Sequence, residues 1–162
     1  MDIDQIDGNK IHKFALQPSF EVNSRCLRAL QVVPVFEGSD ALPCSANAVQ
    51  ASVGSQKSDY LVTWEKDFIE EVLVFFHEQL SGFSGVGKQP FQIGLPLSLP
   101  AALSEGYFEW FYELLNLYRI EPKKLVLHVC EPDRIRFEEA NDVFCALNSA
   151  GFTICVDKYL TD

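Results

Sequence analysis

The chain has 162 residues, 48% of them hydrophobic and 22% charged, a composition that supplies a buried core for one globular domain and excludes disorder as the main state. Thirteen basic against 23 acidic residues leave a net charge of −10, which argues against general binding to nucleic-acid backbones or anionic lipid surfaces. No apolar run reaches the roughly 20 residues of a membrane helix, and the acidic start MDIDQIDGNK lacks the basic-then-apolar order of a secretory signal, so a cytoplasmic location is expected.

Residues 1–10 read as an N-terminal tail and 11–162 as a single domain. Within it, IHKFALQPSF (11–20) and CLRALQVVPVF (26–36) are β-rich apolar runs separated by Glu21 to Arg25, too short a gap for a crossover helix. They predict an antiparallel hairpin, with Asn23 and Ser24 in the turn. Residues 37–58, rich in Gly, Ser and Ala, read as a flexible loop with room for a weak helix around 46–53.

From Tyr60 to about Leu80 the apolar residues Leu61, Trp64, Phe68, Val72, Phe75 and Phe76 recur at helical spacing, with Glu65, Lys66, Glu70 and Glu71 read as lying off the stripe. The glycine-rich stretch SGFSGVGKQP ends that helix, and PFQIGLPL (90–97) reads as a short buried strand. Ser104 is placed to cap a helix over 105–118, whose Tyr107, Phe108, Phe111, Leu114, Leu115 and Tyr118 form a broad apolar face. A strand over 124–130 follows, then a helix carrying Phe137, Ala140, Phe144 and Leu147, with Gly151 in a left-handed C-terminal cap, and finally the strand FTICVD. Strand and helix alternate as in right-handed βαβ units, so a parallel sheet with helices outside is expected.

Candidate sites are few. Gly82 to Lys88 matches G-x-x-x-x-G-K, but Gln89 stands where a magnesium-binding hydroxyl belongs, and a helix precedes where a strand is required. The segment therefore reads as a helix-to-strand loop. His128, Cys130 and Glu131 fall at the C-terminal end of one predicted strand, and Asp157 and Lys158 at the same end of the next, the edge where α/β sheets place their chemistry. His128 and Cys130 are two apart and share a strand face; a metal site is weighed there against a hydrogen-bonded core histidine, the commoner case. His12 and His77 lack a nucleophile or acid at triad spacing. Cys26, Cys44, Cys130, Cys145 and Cys155 contain no C-x-x-C pair and read as reduced, buried core residues rather than zinc ligands.

The order of these elements resembles the EAL-domain family, cyclic di-GMP phosphodiesterases on a modified (β/α)8 barrel with an antiparallel first strand. Leu16-Gln17-Pro18 is similar to the family's Y-Q-P, and Gln31-Val32-Val33 falls where Glu-Ala-Leu is expected. Phe91 to Pro96 resembles the N-x-S strand with Gly94 at the asparagine, the run from Leu125 through Glu131 resembles L-x-L-E-I-T-E, and Ala146 to Tyr159 resembles L-x-x-x-G-x-x-I-A-L-D-D-F. The resemblance implies a partial TIM-barrel-like α/β fold of about five strands. It also implies a family site at Gln31, Gly94, His128, Glu131, Asp157 and Lys158, where relatives hold magnesium or manganese on carboxylates and an asparagine.

At those positions most of the oxygen ligands are missing, Lys158 brings a positive charge, and Val35 replaces an arginine that would grip the dinucleotide's phosphate. The resemblance therefore implies neither catalysis nor a bound metal. It implies a regulatory domain acting by protein–protein contact in bacterial signalling, on a transcription or motility regulator. The alternative is a non-hydrolysing cyclic di-GMP sensor using Gln17 and Asp157. Against a barrel of roughly 250 residues the chain lacks about three βα units, so a homodimer that covers the open sheet, or a longer parent protein, is also expected.

Overall fold

The structure, a computed structural model, describes residues 14–35, 58–80, 91–130 and 138–157. The expected tail, the 37–58 loop up to residue 57, the glycine-rich segment after the first helix, and Phe137, Glu131 and Lys158 lie outside them.

Strands β1 (Phe14–Phe20) and β2 (Leu27–Pro34) form the expected antiparallel hairpin, with Gln17 opposite Gln31 and a register irregularity at Ser19/Phe20. The turn closes through Glu21 N–H donating to the Cys26 carbonyl and Arg25 N–H donating to the Glu21 carbonyl. Pro18 is tolerated because β1 is an edge strand, where a missing N–H breaks no ladder on its open side. Next come helix α1 (Ser58–Leu80), strand β3 (Gln92–Leu97), the short helix α2 (Leu99–Ala102), helix α3 (Tyr107–Tyr118), strand β4 (Leu125–Cys130), helix α4 (Asn141–Ser149) and strand β5 (Thr153–Asp157). The five strands make one sheet in the order β1-β2-β3-β4-β5, parallel from β2 onward.

One face of the sheet carries the core. Leu30 and Val32, Ile93, Leu95 and Leu97, and Leu125, Leu127 and Val129 pack with the helices, around Phe68, Val72 and Leu73 of α1, Phe111 and Leu115 of α3 and Phe144 and Leu147 of α4. Aromatic contacts join the layers: Phe14 of β1 meets Phe75 of α1 edge-on at 5.2 Å and Phe68 at 6.4 Å, and Phe111 of α3 stacks on Phe152 ahead of β5 at 5.7 Å. Helix α4 ends as expected. Gly151 adopts φ 101°, its N–H donates to the Asn148 carbonyl, and the Phe152 N–H donates to the Leu147 carbonyl. Helix α3 ends the same way with Arg119 at φ 55°, a left-handed position that the sequence does not advertise with a glycine.

Several expectations are corrected. Ser104 does not cap α3: its N-cap is Gly106, at φ 74° and without a side-chain cap, because the chain first makes the α2 turn, whose cap is Ser98 with Oγ accepting from the Ala101 N–H at 3.2 Å. The cysteines are not uniformly buried. Cys26 sits exposed beside the hairpin turn and Cys145 on the outer side of α4, while Cys155 is half-buried; all three are free thiols. Phe75, placed on the apolar stripe, keeps 37% of its surface exposed, whereas Glu65, placed off it, is 2% exposed. The buried row of α1 is Leu61, Glu65, Phe68, Ile69, Val72, Leu73 and Phe76, and Glu65 stands four residues after Leu61 and three before Phe68, at its centre.

Candidate functional site

Alternation along the strands decides what the second face of the sheet presents. With Ile93, Leu95 and Leu97 turned to the helices, β3 offers Gln92, Gly94 and Pro96 to the other side; β4 likewise offers Val126 and His128, and β2 offers Ala29, Gln31 and Val33. The register then assembles neighbours. Gln17 pairs with Gln31, Gln31 with Gly94, Gly94 with Val126, Pro96 with His128, and His128 with Cys155. Sequence positions 17, 31, 94, 128 and 155 thus meet on one surface across all five strands.

The centre of that surface is tightly filled. A Cβ on Gly94 would stand 2.9 Å from His128 Nε2, 3.0 Å from His128 Cδ2 and 3.1 Å from the Gln31 Cα, closer than side chains normally approach. The half-buried His128 ring lies over the Gly94 backbone and occupies the volume that a side chain at position 94 would need. Lower down, Gln92 Nε2 donates to the Lys123 carbonyl at 3.1 Å and to Thr153 Oγ1 at 3.2 Å, tying the N-terminal ends of β3 and β5 across β4.

Of the expected site residues, Gln31, Gly94 and His128 are brought together, and Gln17 lies exposed beside Gln31. The backbone of Asp157 is registered with Cys130 at the ends of β5 and β4. The described side chains on this face do not fit a hard divalent cation. They offer carboxamides at Gln17, Gln31 and Gln92, an imidazole at His128, a hydroxyl at Thr153 and a thiol at Cys155, whereas magnesium and manganese favour carboxylate-rich oxygen sets. Among the described residues no group of three or more His, Cys, Asp or Glu side chains is placed to hold a metal.

The polar cluster that the sequence reading missed lies on the helical side. Glu65 Oε1 accepts from the Tyr107 hydroxyl at 2.7 Å and Oε2 accepts from the Ser98 N–H at 3.0 Å, both inside the core. Burial pushes the Glu65 carboxyl up to about 7, against the pull of the Tyr107 and Ser98 hydrogen bonds, and burial followed by the Glu65 charge raises the Tyr107 phenol well above its usual value. Helical spacing was the available signal: residues 61, 65, 68, 69 and 72 fall on one line.

No protein-family model matches the sequence, and comparison with curated proteins gives no match. Solved structures do match. The EAL enzyme Bd1971, in a form with cAMP and cyclic di-GMP bound, superposes with a TM-score of 0.74 at 15% identity, over 99% of this chain and 43% of that one. The PaMucR phosphodiesterase in complex with c-di-GMP gives a TM-score of 0.69 at 17% identity over 92% and 58% of the respective chains. The Xanthomonas citri FimX EAL domain, also in complex with c-diGMP, gives 0.60 at 14% identity over 87% and 53%. The fold is therefore EAL-like, a partial TIM-barrel-like sheet with helices on one face, and the chain spans about half the length of these structures or less.

Proposed function

We propose that this chain is a regulatory EAL-type domain that does not hydrolyse cyclic di-GMP and acts in bacterial signalling by contact with a protein partner. The observation that supports it most is the packing of His128 over Gly94. The position that in the resembling family carries an asparagine ligand has no side chain, and an imidazole fills its place. Metal-assisted hydrolysis needs a cation to activate water and to stabilise charge on the phosphodiester, and the described side chains of this face, amides, imidazole, hydroxyl and thiol, supply little for either task. With a net charge of −10, a basic surface on a transcription or motility regulator is the complementary partner, and encounter between the two would weaken with salt. A second copy of the chain is the other candidate, since each outer strand of the described sheet has an open edge to pair.

A second reading, a sensor that binds cyclic di-GMP without cleaving it, is favoured by the pairing of Gln17 with Gln31 on the face that holds His128. Both amides can donate to a phosphate, and both can donate to and accept from a guanine. Calorimetric titration separates the two readings. The partner-binding domain is expected to give no heat with cyclic di-GMP at tens of micromolar protein, and saturable one-to-one binding would replace it with the sensor.

A further inference from the structure

Glu65 joins three parts of the fold. It projects from the middle of α1, accepts the Ser98 N–H where β3 passes into α2, and accepts the Tyr107 hydroxyl at the start of α3. Ser98 is itself engaged twice, its N–H to Glu65 and its Oγ to the Ala101 N–H, so the carboxyl group also fixes the cap of α2. Around it lie Leu61, Phe68 and Ile69 of the same buried row. The groups acting on it are Tyr107 from α3 and Ser98 from the β3–α2 junction. The neighbouring cation of its own helix, Lys66, is turned over aromatic rings instead, its Nζ 5.1 Å from the Trp110 ring centre and 5.7 Å from that of Tyr107.

Burial disfavours a carboxylate in this place, while the two hydrogen bonds that it accepts favour it. Two hydrogen bonds replace only part of the hydration an ion loses on burial, so ionisation favours any arrangement that lets water reach Glu65. The contacts that must open for this are those of the corner formed by α2 and the start of α3 against α1. We propose that Glu65, Ser98 and Tyr107 form a proton-controlled latch, closed while the Glu65 carboxyl group is protonated and released, freeing the α2–α3 corner from α1, when it ionises.

The direction of the linkage is fixed. Burial raises the folded-state value from 4.5 to about 7, so between those values the folded chain holds a proton that the unfolded chain has lost. Stability from this group is complete below about pH 4.5 and falls as pH rises through about 7.

The test uses the full chain and its Glu65→Gln variant, whose amide cannot ionise, offers its oxygen to the Ser98 N–H and, with the Tyr107 hydroxyl turned to accept, its NH2 to the Tyr107 oxygen. Between pH 5 and 8 the folding equilibrium constant of the unmodified chain, relative to that of the variant, is expected to fall by roughly 100-fold. Hydrogen exchange in residues 98–107, corrected for intrinsic rates, is expected to accelerate over the same interval in the unmodified chain alone. Parallel pH profiles for the two proteins would overturn the latch. If the glutamine variant does not fold, the carbon-13 resonance of the Glu65 carboxyl in the unmodified chain decides: a midpoint near 7 supports the proposal and one near 4.5 overturns it. Tyr107→Phe removes a hydrogen bond that favours the ionised form, so it is expected to move that midpoint upward, and a downward move would count against the assignment.

Discussion

Replacing Gly94 by asparagine is expected to destabilise the chain by roughly 1–3 kcal/mol, and most of that loss should return when His128 is replaced by alanine in the same molecule. The reason is local and steric. A side chain at position 94 begins 2.9 Å from His128 Nε2 and 3.0 Å from its Cδ2, so ring and side chain compete for one volume. The imidazole can be removed, but the Gln31 Cα, 3.1 Å from the same point, is backbone of the neighbouring strand and would still have to give by a few tenths of an ångström. Recovery is therefore expected to be large but incomplete. Urea denaturation of both single variants and the double variant measures the coupling; single effects that simply add within about 0.5 kcal/mol would mean that the two positions do not share space.

The largest loss of stability is expected from Phe111→Ala, about 3–5 kcal/mol. Phe111 is 1% exposed at the junction of α3 with the sheet, stacked on Phe152 at 5.7 Å and flanked by Trp110 at 6.1 Å and Tyr107 at 6.4 Å. Truncation leaves a cavity between rigid rings, which collapse into it less readily than flexible side chains would. Against the 5–15 kcal/mol typical of a domain this is a large fraction, and a strongly lowered thermal midpoint is the expected readout. Phe20→Ala provides the contrast. That ring is 59% exposed at the hairpin, and its removal should change stability by no more than about 0.5 kcal/mol. Equal losses at the two positions would contradict the placement of the core.

Much of the fold is legible in local sequence because its determinants are local. The gap between Phe20 and Cys26 is too short for anything but a hairpin, the spacing from Leu61 to Phe76 is helical, and Gly151 marks a left-handed cap that the structure contains. Arg119 adopts the same conformation without glycine, so chemistry alone could not mark that end. Burial of Glu65 is hard to read from sequence because its type is charged although its position lies on the helical row, and the partners that make its burial tolerable lie 33 and 42 residues away. The candidate site was legible as a set of positions and not as a geometry. Which residues share a face follows from strand alternation, but that the His128 ring comes to lie over Gly94 depends on the parallel register of β3 with β4.

Manganese(II) binding tests the central claim most directly, since it asks about the centre itself and not about turnover by a chain that spans only 43–58% of the length of its structural relatives. The free-ion paramagnetic resonance signal is followed as the chain is added, with a Gln31→Glu, Gly94→Asn, His128→Glu variant as the reference expected to gain uptake. The unmodified chain is predicted to leave the signal undiminished. Uptake of one ion per chain, abolished by Asp157→Ala, would contradict the account.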